Sequence, residues 1–333
     1  MEMDKLGVLT SFVHNIVVYN IPLLYGTVGE IGVEKSGSLN LGVEGIMAVG
    51  AIFGYICGCY ANSLLVGILA AFAAGVLCGA LFAVLTVSLQ ANQNITGLTL
   101  TTFGLGLYFF VGNSLKATGW PVMGNYSNIM KGFSDLSIPL LSEIPLVGKG
   151  LFSHNILVYL GIAIAVGMWW YLNKTTPGLR LRAVGENPAS ADSVGINVKR
   201  SKYLHICLGC GIMGIGGYYM GLNLGGSFNS HCWINGYGWI AVALVIFANW
   251  NPALAILGTF VFGFFNTLQV SGSSLAGAFP GALGWLADIP AQLYQALPFL
   301  ITAIVLVVTS IRNKRGSSGL PASLGLNYFR EDR

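Results

Sequence analysis

The sequence predicts an all-α membrane protein: a polytopic transmembrane helical bundle of about 8–10 spans with one short helix on its cytoplasmic side. Three observations predict it. Of 333 residues, 54% are hydrophobic and only 8% charged, against about 25% charged in an ordinary soluble domain. At about 20 residues per span, the apolar runs exceed what one soluble core can bury. The charges are concentrated, chiefly in an island at 174–202 that sets Lys174, Arg180, Arg182, Lys199, Arg200 and Lys202 against Glu186 and Asp192. Basic residues between spans mark the cytoplasmic face.

In chain order, a first span is expected at about 10–29, interrupted by His14, Asn15, Asn20 and Pro22 and followed by a polar stretch with Glu30, Glu34 and Lys35. Further spans read at about 40–60, 63–89, 94–113 and 153–173, then, after the island, at 203–222, 236–249, 252–271 and 292–312. That is nine, give or take one, since 236–249 and 273–291 are short or broken. A second basic cluster, Arg312, Lys314 and Arg315, follows the last run, so an even number of crossings must join it to the island. Counting backward puts the 114–152 loop and the N-terminus outside. The acidic start, Met1 to Lys5, does not read as a removable signal peptide. One transmembrane domain over 1–315 and a mobile, Gly/Ser-rich and then charged tail over 316–333 complete the division.

The island contains a small helix with both ends marked. Asn187 can cap the first free N–H groups and Pro188 suits the first helical position. Ala189 to Val194 propagate it, and Gly195 can take the left-handed stop conformation. So short a helix is marginal alone, because isolated helices need about 12–15 residues. A partner surface is the reason to build one.

Residues for chemistry are few. Asn40 and Glu44 share a helix face at the opening of the second span. A carboxylate within a span points to a functional site or a watery cavity; the alternative places Glu44 at the interface, solvated or paired with Lys35. Asn94, Thr96, Thr99, Thr101 and Thr102 form a polar string in the fourth span, although threonines also return hydroxyls to their own helix. Trp239 and Trp250 either stack on a flat ligand or anchor at the lipid interface. Asn40, Glu44, Asn94, Thr102 and Trp239 are the candidate substrate-path residues. Cys207 and Cys210 lack a second pair at zinc spacing and read as packing residues, as do glycine pairs such as Gly54 with Gly58. His231 beside Cys232 has no further ligand, so no metal site is expected. The Gly211, Gly214, Gly216, Gly217 run follows no strand and is not a nucleotide loop. No enzyme motif emerges, and the basic residues describe topology rather than a nucleic-acid footprint.

Leu39 to Met47, Arg182 to Val198 and Ile240 to Pro252 together resemble the membrane permeases of bacterial ABC importers that serve branched-chain amino acids, ribose-type sugars and nucleosides. Within that group the Leu-Asn-Leu-Gly-Val-Glu-Gly and Val-Gly-Glu-Asn-Pro patterns look most like the nucleoside, basic-membrane-lipoprotein-associated, branch. The resemblance implies a subunit of the bacterial inner membrane that imports purine nucleosides by alternating access. Ribose or another simple sugar is the alternative cargo. A proton-coupled secondary transporter using Glu44 is the alternative class. The resemblance also implies a second, similar but non-identical permease, an ATPase with two nucleotide-binding domains and a substrate-binding lipoprotein or periplasmic protein. No cofactor is expected on this chain; ATP and magnesium belong to the ATPase. The short helix then corresponds to the family's coupling helix, with Gly185, Glu186, Asn187, Pro188, Ala189, Asp192 and Gly195 as the ATPase-coupling residues. Tyr237, Ala248 and Asn249 depart from the group's usual pattern and bear on the cargo.

Overall fold

Helix α1 (Lys5–Glu34) is buried without interruption from Asn20 to Glu34. A helix apolar all round belongs inside a bundle, and this half of α1 is an inner strut of the fold. The structure is a computed structural model that describes residues 5–117, 129–137, 147–224, 228, 231–312 and 319–330. After α1 come α2 (Val43–Ala61), α3 (Leu64–Ala83, prolonged by a wider turn to Ser88) and α4 (Gln93–Ala117). The region between α4 and the next long helix contributes α5 (Val147–Phe152) and a two-residue antiparallel pair, β1 (Leu136–Ser137) with β2 (Ser153–His154), in the register Leu136 to His154. Next are α6 (Ile156–Lys174), α7 (Thr176–Glu186), α8 (Pro188–Ser193), α9 (Val198–Asn223), α10 (Tyr237–Phe247), α11 (Pro252–Ala278), α12 (Pro280–Leu283) and α13 (Ala291–Arg312).

Among the described residues, α1, α2, α3 with its extension, α4, α6, α9 and α11 are long and apolar enough to cross a bilayer. With α10 and the 22-residue α13, they fall one for one on the nine expected spans. The exception in kind is α10, whose 11 residues reach roughly 16 Å, about half the hydrocarbon thickness. It runs beside the buried half of α1: the Thr27 hydroxyl donates to the Ala241 carbonyl at 3.3 Å. The first span is also longer than expected, since α1 runs on through Glu30 and Glu34.

Helices α2 and α9 are the other inner elements, with 78% of their most apolar stretch buried against 28% for α6. Helix α9 packs on α1, α2 and α3. Backbone contact needs glycine there: a Cβ on Gly29 would stand 2.6 Å from the Gly209 carbonyl oxygen, and one on Gly209 would stand 2.5 Å from that of Gly29. Cys210 is fully buried against Gly75 and Gly79 of α3, the packing role expected of it. Small residues substitute here for the missing hydrophobic drive between helices in lipid. Outward-facing Leu77, Phe110, Trp170 and Ile304 are each more than half exposed, as suits a lipid or subunit boundary.

Candidate functional site

Three polar starts organise the basic face. Thr175 Oγ1 accepts from Gly178 N at 3.2 Å to cap α7, with Pro177 in its first turn. Asn187 ends α7 and begins α8, its Oδ1 accepting from Ser190 N at 3.0 Å, and Pro188 follows. Asn197 Oδ1 accepts from Arg200 N at 2.9 Å to cap α9. Between the last two, Gly195 takes φ +85°. Its N–H donates to the Asp192 carbonyl and that of Ile196 to Ala191, both at 3.0 Å. This is the left-handed stop that spares a helix end its unpaired carbonyls. The capping expectation for 187–195 is therefore met atom by atom, whereas the preceding helix α7 went unread.

The seven residues expected in this region divide in two. Glu186, Asn187, Ala189 and Gly195 are exposed, and Pro188 partly so. Gly185 is buried, and Asp192 turns inward. Val184, Ala191 and Val198 form a small apolar cluster beneath, joined by Ile196 and Tyr328. Val194, which the sequence reading passed over as a helix-end residue, is 75% exposed and gives this face an apolar tip.

In place of a mobile tail, residues 319–330 lie against this face. Ser323 N donates to Gly185 O at 2.9 Å and Ala322 N to Glu186 Oε2 at 3.3 Å. Asp192 Oδ2 accepts from the Tyr328 hydroxyl at 2.9 Å and pairs with Arg330 at 3.2 Å. Lys35 Nζ donates to Gly319 O at 2.7 Å, Gly319 N to Asn249 Oδ1 at 2.8 Å, and Asn327 Nδ2 to Gln90 O at 2.7 Å. Burial pushes the Lys35 ammonium below its usual range, and the Glu186 charge partly opposes this. Composition suggested disorder; backbone and amide pairing overrides it.

A second polar centre lies within the bundle. Glu30 is fully buried, and its two oxygens accept from Asn40 N and Asn40 Nδ2, each at 3.2 Å. Asn40 Oδ1 in turn accepts from Gly42 N at 2.9 Å, closing the irregular link before α2. One turn on, Glu34 accepts the indole N–H of Trp250. Trp250 is buried rather than anchored at an interface, and it holds φ +54°, an uncommon conformation for a bulky residue. Glu44, 5% exposed, accepts from Gly236 N and Gly238 N, each at 2.7 Å. It thus caps α10 from α2, putting a negative charge at a positive helix end. Neither a solvated Glu44 nor a Glu44–Lys35 pair is present.

The five expected path residues do not converge. Asn40 and Glu44 are committed to backbone inside the bundle. Asn94, Thr102 and Trp239 are exposed, Trp239 by 42%. Thr99 and Thr102 donate back into α4, Thr96 donates to Asn92 O just before it, and Thr101 reaches across to Leu41 O at 3.0 Å. Gly45 packs on Leu100 and Thr101, and Gly238 packs on Glu44, so α4 and α10 flank the Glu44–Gly45 step. Among the described residues, no group of three or more His, Cys, Asp or Glu side chains could hold a metal ion.

Residues 12–308 match the family model described as the permease component of the branched-chain amino acid transport system. The chain belongs to this family. It is an ABC-transporter permease: a multi-pass membrane subunit that transports and is not itself catalytic, in a machine whose ATPase and binding protein are other chains. A putative glucose ABC transporter permease of Haloferax volcanii is 34% identical, covering 93% of this chain and 94% of its own. A nucleoside ABC transporter permease of Lactococcus lactis is 33% identical over 98% and 99%, and a guanosine permease of Bacillus subtilis 32% identical over 99% and 100%. No solved structure matches the permease.

Proposed function

We propose that this permease imports a purine nucleoside by alternating access, powered through α8 by a partner ATPase. Two relatives that span nearly the whole chain carry nucleoside and guanosine names. The observation that carries the reading is Trp239, an exposed indole on the first turn of α10, next in sequence to Gly238, whose N–H the Glu44 carboxylate accepts. An indole face suits a flat base, and base–aromatic stacking contributes about 1–3 kcal/mol. The path would lie on this face, completed by a second, similar permease chain. An ATPase with two nucleotide-binding domains would bind ATP and magnesium and close around Ala189 and Val194. A lipoprotein or periplasmic protein would deliver the cargo. Glu44 as a proton carrier gains no support, because both its oxygens are engaged as acceptors.

A sugar cargo is the second reading, favoured by the glucose-permease relative. The test is uptake of labelled guanosine by the reconstituted complex, with glucose and ribose as competitors. Guanosine uptake that needs hydrolysable ATP and is indifferent to either sugar supports the nucleoside reading. Competition by a sugar, with no guanosine uptake, replaces it. Uptake that persists without ATP hydrolysis refutes the mechanism.

A further inference from the structure

The first two turns of α9 carry Lys199 and Lys202. Lys199 is exposed, but Lys202 is only 4% exposed, and its ammonium has neither a hydrogen-bond partner nor an ion-pair partner among the described residues. Its stem is buried, and the residue opens into a cavity with no anion opposite its ammonium. Lys202 lines a cavity of about 490 Å³ enclosed by the start of α9, the end of α8, Thr86 of the extended α3 and the tail residues Tyr328 to Arg330. The acid of that wall, Asp192, is already held by the Tyr328 hydroxyl and by Arg330. Lys199, Lys202 and Arg330 therefore face one carboxylate that is already engaged, and the positive end of α9 adds to the imbalance.

We propose that this cavity is a binding site for a phosphate ester, with Lys202 as the buried counter-charge. Lys199 and Arg330 lie at its rim, and Tyr328 and Phe329 stand beside the organic substituent. A volume within the range of about 300–1,000 Å³ typical of small-molecule sites leaves room for more than a bare phosphate. The site stands where a span meets its basic flank, the position at which anionic headgroups are drawn to a protein. The ester is therefore a soluble one or a phospholipid headgroup. Because Asp192 and the tail form two of its walls, occupancy would fasten α8 to α9 and to the tail. The binding claim is independent of which cargo the permease carries.

The experiment uses the full-length chain and follows its thermal unfolding. In detergent, glycerol 3-phosphate is compared with chloride at matched ionic strength; in nanodiscs, phosphatidylglycerol is compared with phosphatidylcholine. A ligand that binds the folded state raises the midpoint. The expected result is a raised midpoint in at least one arm. Protection by glycerol 3-phosphate identifies a soluble ester; protection by phosphatidylglycerol alone identifies a headgroup. Lys202→Gln should weaken the apparent affinity about tenfold or more. Lys199→Gln, at an exposed position that folding tolerates, should weaken it less and reduce its salt dependence. Arg180→Gln, on the same face outside the cavity, should leave it unchanged. No protection of the wild type in either arm overturns the proposal. So does protection that survives both lysine substitutions, or that falls equally with Arg180→Gln.

Discussion

A carboxylate that receives two backbone N–H groups at 2.7 Å, one on each oxygen, serves as a structural cap, and Glu44 is such a group. Glu44→Ala should leave two buried donors unpaired, at a cost of about 1–3 kcal/mol. The expected outcome is a lower unfolding midpoint for the purified subunit; lost transport with an unchanged midpoint would instead mark Glu44 as a cargo-contacting group. At this scale the sequence was legible where the cause is local. Asn187, Pro188 and Gly195 act on N–H and C=O groups a few residues away, and each sits as expected. Glu30 and Glu34 were read as a polar stretch beyond the first span, because charge normally ends one. Their partners, Asn40 and Trp250, are 10 and 216 residues away, and nothing local signals them.

Among elements, α8 is a six-residue helix too short to stand alone, with Asn187 and Ala189 exposed at its start. Asn187→Ala should cost about 1 kcal/mol of local stability and reduce stimulation of the ATPase. Val194→Asp, at an exposed tip, should reduce that stimulation without lowering the unfolding midpoint. A pull-down of the ATPase together with its hydrolysis rate checks both; unchanged stimulation by Val194→Asp would remove the docking role. The β1–β2 strand pair offers a pH test. His154 in β2 stacks on His14 of α1 at 4.4 Å, while His14 faces Asp135 at 3.9 Å. Burial first and the His14 charge second push the His154 imidazole down to about 4, although a hydrogen bond to Gly150 O opposes them. An unfolded histidine titrates near 6.5, so between these values only the unfolded chain takes the proton. Stability should be full above about pH 6.5 and fall on acidification toward pH 4, by at most about 1.4 kcal/mol per pH unit. His154→Phe should flatten that part of the profile. The unread helix α7 belongs to this scale too. Its cap, Thr175 with Pro177, was present, but Arg180 and Arg182 looked like loop charge.

For the whole molecule, the seven membrane-length helices found among the described residues could be read because bilayer thickness imposes a length on each. The placement of α10 could not, since it depends on a carboxylate from α2 and on close contact with α1. Nor could the tail, whose Gly/Ser composition resembles that of a free end. The candidate path was legible only as residue types: Trp239 and Thr102 are outward, whereas Asn40 is structural. Deleting 319–330 should leave the subunit in the membrane but expose α8 to protease and lower ATPase stimulation. Limited proteolysis and the hydrolysis rate of the assembled complex would show it, and wild-type values in both would make the tail dispensable.

The order of synthesis gives this strap a temporal meaning. A ribosome delivers every span before it delivers Ser323 or Tyr328, whose contacts close over Gly185 and Asp192. A nascent permease would therefore insert with its underside unlatched. It would gain the contacts over Gly185 and Asp192 only after the described spans had been made, so any partner that needs this face ordered would meet it late.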